Sequence, residues 1–205
     1  MKKIKKILIG THNAGKFKEI SYLISKKIKK VPPFPLKIGS PKETGKNFVS
    51  NSNLKAEYFF KKSKITTISD DSGLCIKCLN GKPGIHSARF AKKNGGFNKA
   101  MKYLLKLINK KNKNKKIKNY KAIFVCCLTL RHPGKKSISV EGKIYGNISN
   151  KILGKNGFGY DPIFIPNKKK LTFGQMKKRD KMRMDHRFIA FKKLKKKLKF
   201  YKLSI

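Results

Sequence analysis

Asp70 and Asp71 end the β-branched run "KITTISDD" and are two of only nine acidic residues in a 205-residue chain that carries 54 lysines and arginines. Adjacent carboxylates repel, and a bound divalent cation relieves the repulsion. A hard ion such as Mg²⁺ takes carboxylate oxygen, bridges substrate phosphates and keeps water that a neighbouring carboxylate can orient or deprotonate. Ser72 follows as a donor to a phosphate oxygen. Three further clusters have matching chemistry. In "THNAGK", residues 11–16, a strand gives way to a helix whose N–H groups and dipole favour phosphate, with Thr11 and Asn13 as short polar donors and Lys16 as a point charge. "GFGYDP" sets Phe158 and Tyr160 among flexible glycines before Asp161, and such aromatic faces can stack on a nucleobase. "KMRMDHR" carries Lys181, Arg183, His186 and Arg187, of which the His and Arg side chains can donate to a purine 6-keto oxygen and are opposed by a 6-amino group. Each cluster lies at the end of an apolar run or the start of a helix, where an α/β sheet offers groups to a ligand. The four are expected to converge on one anionic ligand.

Two other functions compete for these residues. Gly10 to Lys16 spells G-x-x-x-x-G-K, so a P-loop-like NTPase or nucleotide kinase is one alternative. That motif needs Ser or Thr after the lysine to ligate Mg²⁺, and Phe17 stands there instead. The net charge of +45 makes a nonenzymatic nucleic-acid-binding protein the second. Only Arg89, Arg131, Arg179, Arg183 and Arg187 are arginine, however, and the lysines run along the whole chain beside many Asn and Ile. These three residue types share A/T-rich codons, so base bias accounts for the charge without a dedicated surface. No specific nucleic-acid partner is expected.

The elements that must position the clusters follow from periodicity. Ile4 to Ile9 suits a buried strand, and Ala14 to Lys27 a helix with Phe17, Ile20, Leu23 and Ile24 on one face. "VPPFPLKIG" reads as an irregular link or edge strand, and "NFVSNSNLKAEYFFKK" as a helix turning Phe48, Leu54 and Tyr58 inward. "KITTISDD" and "GLCIKCLNGKPG" read as two strands, the acid pair ending the first. A short segment around "IHSARFA" precedes an amphipathic helix over "FNKAMKYLLKLI" and a solvated lysine-rich loop. "YKAIFVCCLTLRH" and "KSISVEGKIYG" read as a hairpin turning at "HPGK". A last helix from about Asp185 lines up Phe188, Phe191, Leu194, Leu198 and Tyr201, read as a core stripe rather than a membrane-binding face. Cys75, Cys78, Cys126 and Cys127 lie in strand-like surroundings without a second ligand pair for zinc and read as reduced structural thiols. The first apolar run is too short for a signal peptide and none spans a membrane, so a cytoplasmic protein folded as a single domain, 1–205, is expected.

Taken together, "THNAGKFKE", "ETGKNF", "DDSGLCIKCLNGKPGIHSARF", "GFGYDPIF" and "DHRFIA" resemble the inosine/xanthosine triphosphate pyrophosphatase family, in family order and across most of the chain. The resemblance implies an elongated α/β fold, a mixed β-sheet with flanking helices in two lobes around a central active-site cleft. It also implies a homodimer that uses Mg²⁺ to cleave non-standard purine nucleoside triphosphates (ITP, dITP, XTP) into monophosphate and pyrophosphate. Carried over by motif, Thr11, His12, Asn13, Ala14, Gly15 and Lys16 bind the triphosphate, Asp71 is the metal-linked base and Ser72 contacts substrate. Phe158, Gly159, Tyr160, Asp161, Lys181, His186 and Arg187 hold base and phosphate. Two positions depart from the family. Lys42-Glu43 stands where the resemblance implies two acids, the first a metal ligand, so either Glu43 substitutes as a ligand beside Asp71 or the ion rests on Asp71 and water. Asp185, which can still cap the helix, replaces the usual Ser before His-Arg.

Overall fold

The computed structural model describes residues 2–205. In chain order the elements are β1 (Lys2–Lys3), β2 (Lys6–Ile9), α1 (Ala14–Leu23), β3 (Lys29–Val31), α2 (Phe48–Ser63), β4 (Thr67–Ile76), α3 (Ser87–Lys93) and α4 (Phe97–Asn112), followed by β5 (Lys121–Arg131), β6 (Ile138–Ile148), β7 (Phe164–Pro166), α5 (Lys178–Lys181), α6 (His186–Phe200) and β8 (Leu203–Ser204). Six strands form one sheet in the order β3-β2-β4-β5-β6-β7, and β1 pairs with β8 in a second, parallel one. β2 is parallel to both β3 and β4, whereas β7 is antiparallel to β6. Residues 132–137 join the neighbours β5 and β6, a link too short for a parallel crossover, which takes about a dozen residues. The expected mixed α/β architecture is therefore present. Among the described residues no helix is long and apolar enough to cross a membrane.

The chain divides into two compact units. One comprises residues up to Asp71, Cys126–Gly142 and His186–Ile205; the other comprises Ser72–Val125 and Lys143–Asp185. In the first unit the sheet has a core on each face. Ile7 and Ile9 of β2, Ile68 of β4 and Cys126, Leu128 and Leu130 of β5 pack with Ile20 of α1 and Phe191, Leu194 and Leu198 of α6. Leu8, which strand alternation turns the other way, packs with Val31, Ile38 and Phe59 of α2. In the second unit Phe124, Phe164 and Phe173 form an aromatic cluster, and α4 buries Ala100, Met101, Leu104 and Ile108 at helical spacing.

Several local expectations are corrected. The run from "TISDD" through "GLCI" is one strand, β4, with Lys77–Leu79 turning as a 3-10 segment beyond it, so the acid pair lies mid-strand rather than at a strand end. The buried face of α2 is Asn51, Ser52, Lys55, Ala56 and Phe59, while Phe48, Leu54 and Tyr58 are only half-buried. The reason is electrostatic: a face that meets a carboxylate on β4 needs a cation and an amide more than another leucine. α1 stops at Leu23 because Ile24 turns extended and buries its side chain in the core. "IHSARFA" runs from a 3-10 turn, Gly84–His86, into α3. Phe191, Leu194 and Leu198 do form a core stripe, but Phe188 is half-buried and Tyr201 is exposed beyond the helix end. The four cysteines are free thiols, with Cys126 and Cys127 buried and Cys75 and Cys78 partly so.

Candidate active site

Because consecutive strand residues point to opposite faces, mid-strand placement separates the two aspartates. Asp70 shares the face of Ile68 with α1 and α6. Its Oδ2 lies 3.2 Å from Lys16 Nζ and 3.4 Å from Arg187 Nη2, and Arg187 Nη1 also donates to Glu19 Oε2 at 2.7 Å. Burial pushes the Asp70 carboxyl up, but the opposing pull of Lys16, Arg187 and Lys55 is stronger and holds it well below the usual carboxylate range.

Asp71 faces α2. Its Oδ1 accepts from Lys55 Nζ at 3.2 Å, the same ammonium donates to Glu43 Oε1 at 2.6 Å, and Asn51 Nδ2 donates to Asp71 Oδ2 at 3.2 Å. Burial raises the Asp71 carboxyl, Lys55 and Lys16 pull it back, Glu43 and Asp70 push it up again, and the net shift is upward. For Lys55 burial by itself would lower the ammonium, yet Asp71, Asp70 and Glu43 together keep it raised and charged. The two neighbouring carboxylates are thus driven in opposite directions, Asp70 toward the anion and Asp71 toward holding a proton.

The turn before α1 is locally built. Asn13 caps the helix by accepting from the Lys16 N–H at 3.0 Å, and Thr11 Oγ1 accepts from the Asn13 N–H at 3.2 Å. Ala14 and Gly15 are the first helical residues. Gly10 directly follows β2, where a Cβ would stand 2.3 Å from Ser69 Oγ and 2.5 Å from Phe59 Cδ2, so its role is close packing. His12 donates from Nε2 to the Ile38 carbonyl at 3.0 Å and accepts from Ser40 at Nδ1 at 2.7 Å, tying the turn to residues 38–40. His186 begins α6. Its Nε2 lies 3.2 Å from Arg187 Nη1, and since a guanidinium only donates, Nε2 accepts and a neutral ring carries its proton on Nδ1.

In the second unit Lys181 Nζ donates to Asp161 Oδ2 at 2.6 Å, with both side chains almost fully buried and the ammonium over the Phe158 and Phe173 rings. Asp161 Oδ2 also accepts from the Phe158 N–H at 2.8 Å. Gly157, at φ 74°, brackets this loop; a Cβ there would meet Asp161 Oδ2 at 2.0 Å. Gly159 is left-handed too. Tyr160 is buried, its hydroxyl donating to the Ser87 carbonyl at 3.0 Å, and burial pushes its phenol far up. Ser72 is half-buried on β4, and Asp185 is buried just before α6. A cavity of about 730 Å³ in this unit, lined by Cys75, Lys77, Lys121 and Tyr145 among others, contains none of the candidate residues.

The first unit thus brings Lys16 and Arg187 to Asp70, and Glu43 to Asp71 through Lys55; the second brings Phe158, Asp161 and Lys181 together. Sequence reasoning missed Lys55, Asn51 and Glu19. Their signal was phase: Asn51 and Lys55 stand one helical turn apart, in register with Phe59.

The Ham1 family model matches residues 7–197. The chain belongs to the Ham1 family. It is 39% identical over 197 residues to the dITP/XTP pyrophosphatase of Haemophilus influenzae, covering 94% of this chain and 98% of that one. With the dITP/XTP pyrophosphatase of Caulobacter vibrioides the identity is 37% over 190 residues, 93% and 96% of the two chains. Two solved Ham1 structures share its fold. The HAM1 protein of Coxiella burnetii superposes with a TM-score of 0.83 at 29% identity over 95% of this chain and 98% of that one. The Ham1 protein of Staphylococcus aureus gives 0.79 at 33% identity over 96% and 100%.

Proposed function

We propose that this protein hydrolyses non-standard purine nucleoside triphosphates, dITP, ITP and XTP, to the monophosphate and pyrophosphate. The Ham1 relatives named dITP/XTP pyrophosphatase support the substrate class. The observation that carries the chemistry is the convergence of Asp71 and Glu43 on a single cation, the Lys55 ammonium.

That donor set fits Mg²⁺. Both groups are hard carboxylate oxygens that already converge on one positive charge, and Mg²⁺ is commonly held by one or two carboxylates with phosphate oxygens and water completing the shell. Asp71 and Glu43 would hold the ion. When bound, Mg²⁺ would neutralise phosphate charge and lower the barrier to water attack.

The chain's own residues supply the rest. Asp71, with Oδ2 held by Asn51 and a raised affinity for protons, takes the proton of the attacking water. Lys16, at the N-terminal turn of α1, is held beside Asp70 and balances charge on the pyrophosphate as the α–β anhydride bond breaks. His186, with its proton on Nδ1, donates to a purine 6-keto oxygen and disfavours a 6-amino group. Arg187, locked between Glu19 and Asp70, fixes that tautomer. In the second unit the Lys181–Asp161 pair holds the loop that carries Phe158, whose ring is of a kind that stacks on a base. The protein acts as a cytoplasmic homodimer without a nucleic-acid or membrane partner.

Incubation of the protein with XTP or dITP and Mg²⁺ in H₂¹⁸O tests this reading. ³¹P NMR should show monophosphate and pyrophosphate with ¹⁸O in the monophosphate. Diphosphate and orthophosphate would instead support the P-loop-like alternative.

A further inference from the structure

Asn51 makes two hydrogen bonds from a fully buried position, and they join the two halves of the proposed metal site. Its Nδ2 donates to Asp71 Oδ2 at 3.2 Å, while its Oδ1 accepts from the Gly45 N–H at 2.7 Å. Gly45 is two residues beyond Glu43 in the segment that leads into α2. A Cβ at Gly45 would stand 2.4 Å from Ser50 Oγ, 2.5 Å from Asn51 Oδ1 and 2.8 Å from the Asn51 backbone N, so the segment approaches this closely only because residue 45 is glycine. Asn51 sits one helical turn before Lys55, and both side chains reach Asp71 from the same face of α2.

We infer that Asn51 is a positioning residue that ties the Glu43–Gly45 segment to Asp71, so that the two carboxylates converge on one cation. The inference rests on the metal reading above and adds the group that assembles the site. Asn51 engages Oδ2 of Asp71 and so turns Oδ1 toward Lys55 and Glu43. The task needs one donor and one acceptor on a short planar group. Leucine has the volume with neither, and aspartate has the acceptor without the donor. Residues that orient metal ligands from behind typically change metal affinity or activity about 10- to 100-fold when removed.

The test is Mn²⁺ binding to the intact protein, read from the electron paramagnetic resonance signal of free Mn²⁺, in parallel with thermal unfolding. Asn51→Leu deletes both hydrogen bonds. Gly45→Ala leaves Asn51 in place and pushes the segment away. Asn47→Ala removes the cap of α2, whose Oδ1 accepts from the Ser50 N–H at 2.8 Å, without touching either carboxylate. The expected result is an Mn²⁺ affinity weakened about 10- to 100-fold in both Asn51→Leu and Gly45→Ala. Asn47→Ala should lower the melting temperature while leaving that affinity within about twofold of the unaltered protein, since a cap acts on the helix end alone. Folded Asn51→Leu that binds Mn²⁺ as the unaltered protein does would overturn the inference. If Asn51→Leu fails to fold, undiminished binding by Gly45→Ala does the same. Failure of both to fold would assign Asn51 to the stability of the unit and also overturn it. An unaltered protein that binds no Mn²⁺ would overturn the metal reading itself, a separate outcome visible before any variant is made.

Discussion

The ion pair of Lys181 with Asp161 and the triad of Lys55 with Asp71 and Glu43 use the same chemistry to different ends. In the first, one ammonium meets one carboxylate at 2.6 Å, the side chains are 3% and 2% exposed, and Phe158 and Phe173 flank the cation. In the second, one ammonium is shared by two carboxylates, and Glu43 remains 30% exposed. The closed pair sums to zero charge and holds a loop in shape; the open triad sums to minus one and has a side that a second cation and phosphate oxygens can reach. The two clusters differ in the ratio of carboxylates to cations and in access to them, and the proposed chemistry is assigned to the one with excess, partly exposed carboxylate.

The largest effect that would break this comparison belongs to Asp71. Asp71→Asn keeps the shape and one acceptor but removes the charge, and kcat is expected to fall about 10²- to 10⁴-fold, as for loss of a general base. Substrate affinity should survive. A near-normal kcat at saturating Mg²⁺ would move the catalytic role to another carboxylate. On the structural side, Asp161→Asn strands a buried ammonium and should cost about 3–5 kcal/mol, measured by denaturant unfolding. Replacing both partners, Lys181→Met with Asp161→Leu, should recover most of that loss, because an apolar pair carries no desolvation penalty. If the double variant folds well yet loses activity, the pair touches substrate as well as shaping the loop.

A pH series sharpens the contrast between the two faces of β4. Asp70 has its folded pKa depressed, so its contribution to stability is present above the unfolded value, near 3.9, and is lost as pH falls through the lower folded value. Asp70→Asn should therefore lower stability by about 3 kcal/mol at pH 7, toward the low end for a broken buried pair because Arg187 keeps Glu19. The gap to the unaltered protein should close as the pH drops below about 3.9. Asp71 has the opposite sign. Its raised folded pKa means that ionisation opposes folding above the unfolded value, so Asp71→Asn should be at least as stable as the unaltered protein at pH 7 while losing turnover. Two neighbouring substitutions of the same chemistry should thus separate stability from activity.

Much of this was legible in the sequence. Scarce acids stood out against 54 basic residues, the β-branched run before them set their strand, and the glycine- and aromatic-rich stretch around Phe158 stood out by composition. Lys55 was hidden by the converse of the same argument, since one more lysine in a lysine-rich helix carries no compositional signal. Asn51 and Glu19 were hidden because apolar periodicity ranks polar residues outward, and α2 and α1 turn these polar side chains inward to meet charges on other elements. The face of Asp70 could not be read until β4 proved to be one continuous strand, because a strand end imposes no choice between two sides of a sheet.

The smallest expected effect concerns Asn13, whose carbonyl oxygen is already used as a cap. If capping is its whole role, Asn13→Ala should cost about 1 kcal/mol of stability, and Asn13→Ser should restore most of it, since serine caps nearly as well. Neither should then alter KM for XTP or dITP. If the Asn13 amide also donates to the triphosphate, Asn13→Ser should restore stability but leave KM raised, because its hydroxyl is shorter and is occupied by the cap. Measuring melting temperature and KM on both variants separates the two roles. Stability and KM that recover together in Asn13→Ser would remove Asn13 from the phosphate-binding set and leave the turn's backbone N–H groups with Lys16 to do that work.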